Sequence, residues 1–127
     1  MSQPTIAVMG ASSNRRKFGN KCVRAYIRQG YQVFPVNPRE KTIEGLKAYP
    51  SLAEIPVAAL DRVSLYLPPR VGLGVLDQIA AKSVGQVWLN PGTESPELLA
   101  RARELKLPVV RGCSIVDIGI SPSELDE

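Results

Sequence analysis

The chain has 127 residues, 44% of them hydrophobic, enough for one compact domain with one core. A net charge of +4 is too mild to imply nucleic acid, and two cysteines, Cys22 and Cys113, make no disulfide framework. The chain contains no histidine, which removes the usual general base and metal ligand, and no apolar run of membrane length, so a cytoplasmic protein without a metal site is expected.

The first element is a short apolar strand over 5–9 that stops at Gly10. Ala11-Ser12-Ser13-Asn14 and the cations Arg15, Arg16 and Lys17 follow it. A helix is then expected from Phe18 to Gln29, with Cys22, Val23, Tyr26 and Ile27 on its apolar face and Gly30 at its C-terminal cap. Strand, small-residue turn and helix start together form a phosphate-holding layout, because glycine lets main chain approach a ligand and a helix start offers free N–H groups. A second strand, 32–36, runs into Asn37-Pro38-Arg39. Ser51-Leu52-Ala53-Glu54 fits a capping box on a short helix that Pro56 ends.

A third strand is expected over 62–67, followed by Pro68-Pro69-Arg70. Pro69 opens a helix with Val71, Val75 and Ile79 along one face. The fourth strand, 86–89, leads to Asn90-Pro91-Gly92-Thr93, and Ser95-Pro96 starts a helix carrying Leu98, Leu99, Ala102 and Leu105. A fifth strand, 108–110, leads to Arg111-Gly112-Cys113. Residues 1–120 form the domain, and 121–127 are a polar, acidic tail expected to be disordered.

Alternating strands and helices predict an α/β fold: a Rossmann-like, doubly wound, five-stranded and mainly parallel sheet with helices on both faces. In such a sheet the ligand lies beyond the carboxyl ends of the strands. The residues collected there are Gly10, Ala11, Ser12, Ser13, Arg16 and Lys17 from the first turn, and Val36, Asn37, Pro38 and Arg39 from the second. Tyr66, Pro68, Pro69 and Arg70 come from the third, and Gly92 from the fourth. Half of the 16 lysines and arginines lie between Arg15 and Lys41, opposed there only by Glu40, so a phosphorylated ligand is expected. The dinucleotide fingerprint is incomplete: Ser12 stands where a second glycine belongs, and Gly19 comes late. At the end of the second strand Arg39 replaces the acid that binds an unphosphorylated ribose, which favours a ribose bearing phosphate, as in NADP or coenzyme A.

These residues carry a family resemblance. Val8-Met9-Gly10-Ala11-Ser12, Gly30-Tyr31-Gln32-Val33, Pro35-Val36-Asn37-Pro38 and Tyr49-Pro50-Ser51-Leu52 recur in that order. Val87-Trp88-Leu89-Asn90-Pro91-Gly92 and the late Cys113 complete it. The chain resembles the small single-domain CoA-binding proteins, similar in fold to the CoA-binding domain of the succinyl-CoA synthetase α subunit. The resemblance implies coenzyme A or an acyl-CoA as ligand. It places phosphate at Gly10, Ala11 and Ser12, the ribose and its phosphate at Asn37, Pro38 and Arg39, and the adenine side at Pro68, Pro69 and Arg70. It implies binding without catalysis and a partner of acyl-CoA chemistry; on composition alone, Trp88 and several apolar residues expected at the surface add a homodimer.

The alternatives are an NADP-dependent oxidoreductase, a nucleotide-sensing regulatory domain and a thiol enzyme using Cys113. The oxidoreductase lacks a Tyr-x-x-x-Lys pair and must draw its proton donor from Tyr26, Tyr31, Tyr49, Tyr66, a lysine or a carboxylate. The thiol enzyme has Arg111 to lower the Cys113 pKa but no histidine as base.

Overall fold

Short β-branched runs assemble into one parallel sheet because the connections between them are long enough to cross over. The computed structural model describes residues 3–126. In chain order the elements are β1 (Thr5–Met9), α1 (Phe18–Arg28), β2 (Gln32–Val36), β3 (Thr42–Ile43), β4 (Leu46–Lys47), β5 (Ala59–Leu65), α2 (Pro69–Leu73), α3 (Leu76–Ala80), β6 (Ser83–Leu89), α4 (Pro96–Glu104), β7 (Val109–Arg111) and α5 (Ser114–Asp117). Single 3-10 turns stand at Leu52–Glu54 and Pro122–Leu125.

The sheet order is β2-β1-β5-β6-β7, and every pairing in it is parallel. The expected doubly wound fold is thus observed. Side chains along β1 alternate: Ala7 and Met9 join one apolar layer with Leu76 and Ile79 of α3 and Leu98 and Ala102 of α4. Ile6 and Val8 join the opposite layer with Cys22, Val23 and Tyr26 of α1 and Ile115 of α5. Pro35 is tolerated within β2 because β2 is an edge strand.

The structure corrects several local expectations. β5 and β6 begin three residues earlier than expected, at Ala59 and Ser83. The β3–β4 hairpin is an additional element; Glu44 and Gly45 both take positive φ, the geometry of a type I′ turn. Ser51 makes no side-chain cap, and its segment closes only a 3-10 turn that buries Leu52. Ile27 and Val71 lie in solvent rather than on apolar faces. The helix expected from Pro69 breaks at Gly74 into α2 and α3, and Gly72 packs against the Leu98 side chain.

Over residues 121–126 the tail is docked rather than loose. Leu125 is fully buried, and its carbonyl accepts a hydrogen bond from Arg24 Nη2 at 3.0 Å. Glu124 closes the turn by accepting from the Ser121 N–H at 2.8 Å. Trp88, read as a dimerisation candidate, is buried in β6 beneath the Arg62 guanidinium. Among the described residues the large hydrophobic side chains that do stand exposed are Phe18, Ile27, Val71 and Val116.

Candidate functional site

The chain leaves β1 toward β2 on one side and returns to β5 on the other. Connections therefore diverge at the carboxyl ends of β1 and β5, and a crevice opens between them. A cleft of about 710 Å³ occupies that place, within the usual range for small-molecule sites. Residues from four of the five expected turns line it: Gly10, Ala11 and Ser12; Asn37 and Pro38; Tyr66 to Pro69; and Pro91 to Thr93.

The floor begins at Gly10, whose φ of +85° is the left-handed region. A Cβ there would stand 2.3 Å from the Tyr66 carbonyl oxygen, so only glycine lets β1 turn against β5. A Cβ on Gly19 would meet the Gly10 carbonyl oxygen at 2.2 Å. The start of α1 thus rests directly on the end of β1. This is the close helix–strand packing that the third fingerprint glycine normally supplies, delivered here by a later residue after a longer turn.

That turn is braced by its own polar side chains. Ser12 Oγ accepts from the Asn14 N–H and Asn14 Oδ1 from the Arg16 N–H, both at 3.0 Å. Asn20 Nδ2 holds the Ser12 carbonyl at 2.8 Å. No side chain caps the start of α1, and no acid lies in its first turn. The N–H groups of Phe18 and Gly19 therefore have no intrahelical partner, and both residues line the cleft beside Lys17.

Asn37 joins the first two turns. Its Oδ1 accepts from the Arg39 and Glu40 N–H groups at 2.8 and 3.0 Å, and its Nδ2 donates to the Ala11 carbonyl at 2.9 Å. Glu40 reaches back to accept from the Ser13 N–H at 3.0 Å. Hydrogen bonds from Ser13 hold its carboxyl below the ordinary value. Beneath the other end, Asn90 is buried. Its Nδ2 donates to Ser64 Oγ and the Leu65 carbonyl, each at 2.8 Å, and its Oδ1 accepts from the Ser114 N–H at 2.9 Å. Burial pushes the Cys22 thiol beside this network up to about 11 and raises the Tyr66 and Tyr26 phenols as well.

The remaining expected residues do not line the cleft. Ser13 is occupied by Glu40. Val36 is buried in the core. Arg39 and Arg70 are exposed beside it, with no ion pair among the described residues. Arg16 faces a separate groove with Arg15, Lys21 and Asp126. The basic cluster is also partly consumed internally. Arg15 pairs with Glu44, Lys21 pairs with Asp126, and the buried Arg24 donates to Asn20 and two main-chain carbonyls. Arg111, expected to act on Cys113, pairs with Glu94 instead. Phe18, Gly19, Leu67, Pro91 and Thr93 line the cleft without having been singled out. Pro91 and Thr93 sit in a turn the sequence already marks, whereas the Phe18 ring carries no motif.

Residues 4–119 match the CoA-binding domain family. The chain belongs to that family. A 91-residue stretch is 38% identical to the acetate–CoA ligase (ADP-forming) II subunit alpha of Pyrococcus furiosus, covering 68% of this chain and 19% of that subunit. The CoA-binding domain is therefore homologous to a part of such a subunit and spans about a fifth of its length. Among solved structures, a conserved hypothetical protein from Pyrococcus furiosus superposes with a TM-score of 0.82 at 34% identity, covering 90% of this chain and 98% of that one. The acetyl-coenzyme A synthetase 1 of Ca. Korarchaeum cryptofilum, in complex with phosphate and ADP, gives a TM-score of 0.73 at 29% identity, covering 84% of this chain and 25% of that one. No helix among the described residues is long and apolar enough to cross a membrane.

Proposed function

We propose that the cleft at the β1/β5 switch point binds coenzyme A or an acyl-CoA, and that the chain is a binding module with no reaction of its own. The observation that carries this reading is the uncapped start of α1. It opens onto the cleft beside Lys17 and faces the Gly10–Ser12 main chain across a contact only glycine permits. In this reading the pyrophosphate lies at Gly10, Ala11, Ser12, Lys17 and Gly19. The adenosine end lies toward Asn37 and Pro38, bordered by Pro68 and Pro69. Arg39 and Arg70 serve from the rim, and the arm runs past Pro91, Gly92 and Thr93. Chemistry on an acyl group then belongs to a protein or domain associated with this one, in keeping with a relative that is the alpha subunit of a CoA ligase.

The oxidoreductase alternative finds little support in the phenols. Tyr26 donates to the Ser114 carbonyl at 2.8 Å deep in the core, and Tyr66 points its hydroxyl toward Ser114 Oγ. Both phenols are raised by burial and are poor proton donors.

Titration calorimetry with CoA, dephospho-CoA, NADP and NAD tests the reading. CoA is expected to bind at low-micromolar strength or weaker, and NAD far more poorly. Arg39→Ala should weaken CoA about tenfold, the range of one charge-assisted hydrogen bond, and leave dephospho-CoA nearly unchanged. Equal binding of CoA and dephospho-CoA removes the ribose-phosphate role, and NADP binding tighter than CoA promotes the oxidoreductase.

A further inference from the structure

A second cavity of about 120 Å³ lies beside the cleft, between Phe18, Tyr66, Asn90, Pro91 and Cys113. Three of its walls, Phe18, Tyr66 and Pro91, are also walls of the cleft, so the two spaces adjoin. It lies at the β6 and β7 end, opposite Asn37 and Pro38.

The chemistry of this side pocket is unlike that of the cleft. No charged side chain among the described residues lines it. Asn90, its one amide, spends both N–H groups and its oxygen on Ser64, Leu65 and Ser114. The Tyr66 hydroxyl turns away toward Ser114, leaving the ring as wall. What remains for an occupant is an aromatic and proline surface with the Cys113 side chain. A carboxylate entering here would lose its hydration with no cation to replace it, whereas an alkyl group gains by leaving water.

We infer that this side pocket receives the acyl group of a short, uncharged acyl-CoA and sets its length. The inference rests on the CoA reading of the main cleft. Size fixes the class: an apolar cavity of about 150 Å³ takes a benzene ring, so the smaller one here suits about two to four carbons.

A chain-length series in titration calorimetry tests it, with CoA, acetyl-CoA, butyryl-CoA, octanoyl-CoA and succinyl-CoA. Affinity should rise from CoA through acetyl to butyryl, by up to about fourfold per added carbon, the gain for burying one methylene group. It should fall again for octanoyl-CoA, and succinyl-CoA should bind more weakly than butyryl-CoA. Cys113→Leu, which fills the pocket, should bring the butyryl-to-CoA affinity ratio close to one. The wild-type series stands even if that variant does not fold. Equal affinity for all five ligands, or octanoyl-CoA binding tighter than butyryl-CoA, overturns the acyl pocket and leaves the CoA cleft standing. Binding of none of them overturns the cleft reading and this inference with it.

Discussion

Beneath the cleft, Asn90, Ser64, Ser114 and Cys22 are buried and bonded to one another, while Lys17 at its mouth, and Arg39 and Arg70 next in sequence to the lining residues Pro38 and Pro69, stand in solvent with no ion pair among the described residues. The floor holds strand ends and helix starts together, and its buried side-chain polar groups are satisfied internally. The mouth keeps its cations unspent. Changes to the floor should therefore cost stability, and changes to the mouth should cost ligand affinity with the fold intact. Each experiment below separates those two outcomes.

The largest expected effect is at Gly19. A valine there drives its Cβ into the Gly10 carbonyl, where main chain cannot yield cheaply. Gly19→Val should cost about 3 kcal/mol of stability or more, read as a lower urea midpoint. Gly10→Val belongs to the same class. A purely ligand-facing glycine would tolerate valine in the fold, but positive φ and the Tyr66 carbonyl make this one structural. A folded Gly19→Val with the wild-type midpoint would falsify the close contact between α1 and β1.

The same contrast explains what could be read from the residues alone. The five strands, the parallel order and the turns that meet at the cleft follow from local signals: β-branched runs, helical periodicity and Gly, Pro or Asn at the breaks. The role of Gly19 was hidden because the turn before it is longer than the fingerprint allows. The fate of the cations was hidden for a different reason. Arg24 and Lys21 read as solvated phosphate collectors, yet Arg24 is held by Leu125 and Lys21 by Asp126, about a hundred residues away. Such long-range partners leave no periodic trace. The acidic tail looked disordered for the same reason, since Leu125 shows its worth only when α1 is in place.

The second effect probes the floor by pH. Burial raises the Cys22 thiol from 9.0 to about 11, so between those values the unfolded chain holds fewer protons than the folded one. Stability must then fall as pH rises from about 9 to 11, by on the order of 2 kcal/mol over the whole interval. The raised Tyr26 and Tyr66 phenols add a loss of the same sign from about pH 10 upward. Urea melts at pH 8, 9.5 and 10.5 should show the decline, and Cys22→Val should remove most of it between pH 8 and 9.5 while leaving the tyrosine part at pH 10.5. A wild-type midpoint constant across that interval contradicts a sealed floor.

At the mouth the expected effects move to the ligand. Lys17 lines the cleft at the start of α1 and has no ion pair among the described residues. Lys17→Ala should weaken CoA about tenfold, with the urea midpoint nearly unchanged. Raising salt from 0.05 to 0.5 M should shrink the difference between the two proteins, because exposed charges are screened. A variant that loses stability but not affinity would assign Lys17 to the floor.

The smallest expected effect lies where floor and mouth meet, at Glu40. Its carboxylate accepts from the Ser13 N–H at 3.0 Å and from Asn37 Nδ2 at 3.3 Å, tying the turn after β1 to the turn after β2. The Ser13 bonds hold the carboxyl low, so the tie is present above the ordinary carboxylate range and is lost as pH falls through the lowered value. Glutamine keeps an oxygen that can accept the same N–H bond but removes a negative charge beside the proposed phosphate site. For charges about 8 Å apart in water that removal is worth about twofold in affinity for an anionic ligand. Glu40→Gln should thus bind CoA about twofold tighter at 0.05 M salt, lose the advantage at 0.5 M, and show a weaker decline of stability in acid. Weaker binding at both salt concentrations would show that the carboxylate positions the turn, moving Glu40 from the mouth to the floor.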